Sequence, residues 1–222
     1  MFAVVTDGSI TSFPKGNKGI KIGDNQYPAA IYTLWTETER NAIGIYTVVI
    51  NNTNKKDGDW YINTNHTYTY DADAGTVTAT YGSATAKAIA DVSEVWTQAD
   101  IDAGRAPDGT SADDPMNDSD GNQIITRGLK YGKNQIIDNQ CAGILAPSDW
   151  RVIREQETGT DMDSDWKTWR AAVRTKCNAM QTLITNAANV DALATLYAYV
   201  NTADEGDPIV MARPLGEFPE KE

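Results

Sequence analysis

Few kinds of side chain in this sequence could do chemistry: one histidine, two cysteines, and 31 acids against 19 Lys and Arg. His66 is the only imidazole. It sits in a Tyr-rich run without the acid and nucleophile that a Ser-His-Asp or Cys-His relay requires. Cys141 and Cys177 are far apart and lack a Cys-x-x-Cys spacing, so they read as small core residues rather than a disulfide or a zinc pair. The run Asn117-Asp-Ser-Asp-Gly-Asn has a calcium-loop flavour. Setting Gly121 at the sixth position of an EF-hand loop, however, puts Met116 first and Arg127 twelfth, where carboxylates are needed. Asp161, Asp163 and Asp165 fail the same test, with Trp166 in the glycine position, and they stand where acids favour a helix N-terminus. No glycine-rich phosphate loop or His-Glu-x-x-His spacing occurs. Paired carboxylates can hydrolyse glycans, but nothing in the sequence singles out one pair among so many acids. The expectation is a protein that is not an enzyme, with no catalytic residue, no cofactor and no metal.

The formal net charge of −12 argues against nucleic acid or an anionic membrane as partner, because phosphate binding needs clustered Lys and Arg. No segment approaches the roughly 20 apolar residues that cross a bilayer, and the first residues lack the basic leader of a signal peptide. The chain reads as soluble and made in a reducing cytoplasm.

Positioning elements divide into three stretches. Residues 1–95 form a β-rich module. Phe2 to Phe13 is a hairpin turned at Asp7-Gly8, a pair that tolerates positive φ. Thr36 and Glu39 have capping-box spacing, Gly44 can end that helix, and Ile45 to Ile50 follows as a strand. Trp60, Ile62, His66, Tyr68 and Tyr70 share one strand parity and answer Val77, Ala79 and Tyr81 across a second hairpin. Tyr61 has the opposite parity and stands on the polar face, where a ring could meet a sugar or a protein. Residues 96–140 read as an acidic, loop-rich connector, opened by a second capping box at Trp96-Thr97. Residues 141–222 form a helical module. Trp166, Trp169, Val173, Cys177, Met180 and Ile184 make one stripe, with Lys167, Arg170, Arg174 and Lys176 largely off it. Val190, Leu193, Leu196, Tyr197 and Val200 make a shorter one, and Pro208, Pro214 and Pro219 keep the tail extended. The fold class is α+β.

One stretch carries a resemblance. Leu145, Ala146, Pro147, Asp149, Trp150, Ile153, Arg154, Glu157, Gly159 and Thr160 are followed by Trp169, Arg170, Ala171, Val173 and Arg174. Together they look like the C-terminal region of bacteriophage tail assembly chaperone and tail-fibre assembly proteins, over roughly residues 140–190. Residues 23–44, with Tyr27-Pro28, Leu34-Trp35-Thr36 and Gly44, resemble more weakly the small β modules of phage tail proteins. The resemblance implies a non-enzymatic tail component, structural or fibre-associated, made in the host bacterial cytoplasm and retained on the virion. Its partners would be other tail or tail-fibre subunits, in an oligomeric assembly. A transient assembly chaperone, or an adhesin module binding a host glycan or receptor through Tyr61, are the alternatives. In the shared region Pro147 would stiffen a brace, Trp150 would anchor it, and Arg151 and Arg154 would pair with acids as the long helix begins. Trp150, Trp166, Trp169, Arg154 and Tyr61 are the candidate partner-binding residues.

Overall fold

The computed structural model describes residues 1–221 and divides into two compact units, Met1–Ala86 and Lys87–Glu222. The architecture is α+β, β-rich in the first unit and dominated by helices in the second. The division falls before the expected boundary at residue 95, because Val92 and Ser93 pair with Thr126 and Ile125 and so belong to the second unit.

In the first unit, β1 (Phe2–Thr6) and β2 (Ser9–Ser12) form the expected hairpin. Asp7 and Gly8 have φ of 50° and 74°, the doubly positive turn whose twist suits two strands. A smaller hairpin, β3 (Ile20–Ile22) with β4 (Asn25–Tyr27), leads to α1 (Ile31–Leu34) and α2 (Glu37–Ala42). The capping box at α2 is closed: the Glu39 N–H donates to the Thr36 hydroxyl at 3.3 Å, and the Thr36 N–H donates to the Glu39 carboxylate at 2.7 Å. Gly44, at φ +81°, then turns the chain into β5 (Ile45–Asn51). The unit ends with β6 (Tyr61–Ile62), β7 (His66–Asp71), β8 (Thr76–Tyr81) and β9 (Thr85–Ala86).

The main sheet runs β2-β1-β5-β8-β7, with β5 parallel to β8 and the other neighbours antiparallel. Strand alternation buries both faces. Ala3, Val48, Val77 and Ala79 pack with Tyr68 and Tyr70 on one side, while Val4 and Ile45 meet Ile31 and Tyr32 of α1 on the other. The parity of His66, Tyr68 and Tyr70 is as read, but Trp60 to Ile62 does not extend that hairpin. Asn63 bridges both backbone groups of Lys56, at 2.8 and 2.7 Å, which diverts the strand; Tyr61 and Ile62 pair instead with Ala86 and Thr85, and Ile62 is exposed.

The second unit comprises β10 (Val92–Ser93), α3 (Gln98–Asp102), β11 (Ile125–Thr126), α4 (Leu129–Leu145), a 3-10 turn (Ala146–Ser148), α5 (Asp149–Thr158), α6 (Ser164–Asn186), α7 (Val190–Tyr197), β12 (Val200–Asn201) and β13 (Met211–Ala212). The second capping box also closes: the Thr97 hydroxyl and N–H and the Arg105 guanidinium hold the Asp100 carboxyl down at about 2. The Asp118 carboxylate accepts the N–H groups of Asp120 and Asn122, each at 2.9 Å, so this acidic run is a side-chain-stabilised turn. Helix α4 begins at Leu129, well inside the stretch read as connector. Its pattern is weak, with Gly132 and Gly143 interrupting it and only Ile137 and Cys141 buried. Antiparallel packing of α4 on α6 is marked by Lys130 donating to the Thr185 carbonyl at 2.8 Å and Gln181 to Asp138 at 2.8 Å. Val173, Cys177, Met180 and Ile184 fill the α6 side of the core. Among the described residues no helix is long and apolar enough to cross a membrane.

Candidate partner-binding site

The residues that carry the resemblance form a helical knot. Residues 146–158, read as a brace before a helix, are themselves a 3-10 turn running into α5. Pro147 occupies the start of the turn, where its missing N–H costs nothing. Gly159, at φ +65°, ends α5 in the left-handed conformation and lets the chain double back into α6.

Arg170 closes the knot, and its position departs from the sequence reading that set it off the buried stripe. It is only 6% exposed. Its guanidinium donates to the Leu145 carbonyl at 2.9 Å, to the Ser148 hydroxyl, and to the Asp149 carboxylate at 2.6 Å. A planar fork can serve three acceptors on one short turn, which a Lys cannot. The acceptors cluster because the 3-10 turn that joins α4 to α5 brings the Ser148 hydroxyl onto the Leu145 carbonyl, at 2.7 Å, beside Asp149. Sequence periodicity treats Arg170 as polar and therefore outward; the compensating acceptors lie more than twenty residues earlier and are invisible to it.

Helix α5 has two distinct faces. Arg151 and Glu155 point to α6. The Arg151 guanidinium lies 4.6 Å from the Trp150 ring and 4.4 Å from the Trp166 ring, and 3.6 Å from the Asp163 carboxylate. Each such cation–ring contact contributes about 0.5–2 kcal/mol. Glu155 accepts from Lys167 at 2.6 Å and raises the Lys167 pKa. The other face carries Trp150, Ile153, Arg154 and Glu157, which recur at helical spacing. Trp150 is 50% exposed and Ile153 54%, and α5 contains no fully buried residue. Arg151 makes the expected ion pair; Arg154 makes none among the described residues and lies 5.8 Å from the Trp150 ring.

Trp166 and Trp169 are half-buried and meet edge to face, with centroids 5.5 Å apart. The tail runs over them. The Trp169 indole N–H donates to the Pro219 carbonyl at 3.0 Å, and the Lys221 ammonium lies 5.4 Å from the Trp166 ring. Leu215 is fully buried, and its N–H donates to the Leu196 carbonyl at 3.0 Å. Tyr199 and Arg213 both donate to Glu217, at 2.6 and 2.8 Å, which lowers the Glu217 pKa.

The remaining sequence candidates lie elsewhere. Tyr61 belongs to the first unit and is half-buried beneath the Lys56 ammonium, 4.2 Å from its ring. His66 packs between Tyr68 and Tyr81, at 6.0 and 4.1 Å. Cys141 and Cys177 are free and buried, facing one another across α4 and α6; burial, with a hydrogen bond to Cys141, pushes the Cys177 thiol up to about 11. Among the described residues no three His, Cys, Asp or Glu side chains converge on a metal position. No protein-family model matches the chain, and neither a curated protein nor a solved structure matches it.

Proposed function

We propose that this chain is a non-enzymatic component of a bacteriophage tail, structural or fibre-associated, retained on the virion and acting by protein–protein contact. One observation carries the reading. Of the residues that resemble tail-fibre assembly proteins, Trp150, Ile153, Arg154 and Glu157 lie together on the outward face of α5, while Arg170 behind them locks that helix in place. Side chains selected only for internal packing would face inward. An exposed aromatic ring beside an aliphatic side chain and an arginine has the composition of an interface centre. The partner is another tail or tail-fibre subunit, which covers Trp150 and Ile153. Replacing both, Trp150→Ser with Ile153→Ser, removes half-exposed surface, so the variant remains soluble and unfolds cooperatively yet no longer enters particles. Incorporation at the parental level would refute this use of α5.

A further inference from the structure

The tail segment seated on Trp166 and Trp169 has the chemistry of a ligand. Its prolines do not hold all of it extended: Pro214-Leu215 is a turn closed by the Gly216 N–H on the Arg213 carbonyl at 2.8 Å, and beyond it the chain runs on outside helix, sheet or turn, offers the Pro219 carbonyl to an indole N–H and brings Lys221 over the second indole. Aromatic-lined grooves bind proline-bearing peptides in this way, because the peptide is already extended and loses little entropy on docking. Buried Leu215 supplies the apolar anchor, and Gly216, at φ +75°, bends the chain where a Cβ would strike the Lys176 ammonium.

The segment reaches this groove in its own chain only through a reversal. Antiparallel pairing of Val200 with Ala212 and Asn201 with Met211 turns the chain back toward α7. The connecting loop, residues 203–209, holds Asp204, Glu205 and Asp207 and contains Gly206 at φ +96°. Ile209 at its end, and Val210 and Met211 beside it, stand exposed. An acidic, self-repelling hinge with apolar residues next to it is suited to opening.

We propose that the Trp166–Trp169 groove is a docking site for a proline-bearing extended peptide, and that its occupant in an assembly is the tail of a second copy of this chain, exchanged through the residue 203–209 hinge. Each contact made within one chain is remade between two, so exchange needs no new surface. A tethered tail has an effective concentration in the millimolar range, so dilute chains keep their own tails and crowded copies exchange them. This inference goes beyond the tail reading and does not depend on it, since purified chain tests it.

Deleting residues 203–209 leaves only Thr202 and Val210 to turn the chain between paired Asn201 and Met211; two β-branched residues oppose the positive φ of a two-residue hairpin, so β12 and β13 run on as one strand. The tail is then carried away from its own groove and can seat only on another copy. The expected result is a stable species of twice the parental mass, with acrylamide quenching of tryptophan unchanged. A monomer with raised quenching would overturn the proposal. A measurement on the unmodified chain guards against misfolding of the deletion variant. A free peptide of residues 213–221 carrying a paramagnetic label, added at about millimolar concentration to compete with the tethered tail, broadens the Trp169 indole N–H resonance. No broadening would equally overturn it.

Discussion

Removing the Arg170 guanidinium leaves the Ser148 hydroxyl without its donor and takes one of two side-chain donors from the Leu145 carbonyl, in a site that water reaches poorly. Arg170→Ala is therefore expected to lower the unfolding free energy by about 2–4 kcal/mol. Arg170→Lys should recover less than half, because one ammonium cannot reach all three acceptors; denaturant titration of both variants beside the parent measures this. The charge of Asp149 is less costly to remove, since its side chain is 56% exposed and water competes for it. A second residue-scale consequence concerns Cys177. Its thiol is held protonated up to about 11 in the fold, while an unfolded cysteine titrates near ~8.5. The folded state thus binds the proton more tightly, and this contribution to stability is fully present below the unfolded pKa and lost as pH rises through the folded one. Denaturation midpoints should fall between about pH 8.5 and 11, and less steeply in Cys177→Ala. Tyr197, also raised by burial, adds to the alkaline end of the slope. Iodoacetamide at neutral pH should leave both buried thiols unmodified in folded protein.

The two capping boxes offer a comparison between elements of similar design, each opening with Trp-Thr and closing with Gly. Gly44 and Gly104 both follow a short capped helix and both have positive φ, +81° and +66°. A Cβ at Gly44 would approach the Val5 carbonyl oxygen to 2.6 Å, whereas one at Gly104 would meet nothing within 4 Å. Gly104→Ala is accordingly expected to cost about 1 kcal/mol, the left-handed penalty alone. Gly44→Ala should cost clearly more, because the close approach joins β1 to β5 through the Val5 N–H bond to the Gly44 carbonyl at 2.8 Å. Thermal melts of the two variants separate these outcomes. Both boxes, the Asp7-Gly8 hairpin and the α6 stripe were legible because their signals are local: spacing, capping chemistry and period. Helix α4 was not. Its two glycines and thin buried face leave little periodicity, and it is held by cross-helix bonds such as Gln181 to Asp138. The same limit hid the α5 face. Trp150 read as an anchor because tryptophan usually buries, yet half of it is exposed once Arg151 takes the inward position.

At the scale of the whole molecule, the β-rich and helical units each have their own core, and the candidate contact surfaces lie in the second. The α5 face is presented outward by a buried arginine, and the Trp166–Trp169 groove is filled by the chain's own tail. On the proposed reading both serve as surfaces for other polypeptides. The central claim, membership of the finished tail, is tested most directly by mass spectrometry of purified mature phage particles, with peptide intensities scaled to a known tail subunit. The account predicts this chain at a fixed stoichiometric ratio to that subunit. Its absence from particles, with abundant chain in the infected-cell lysate, would contradict it.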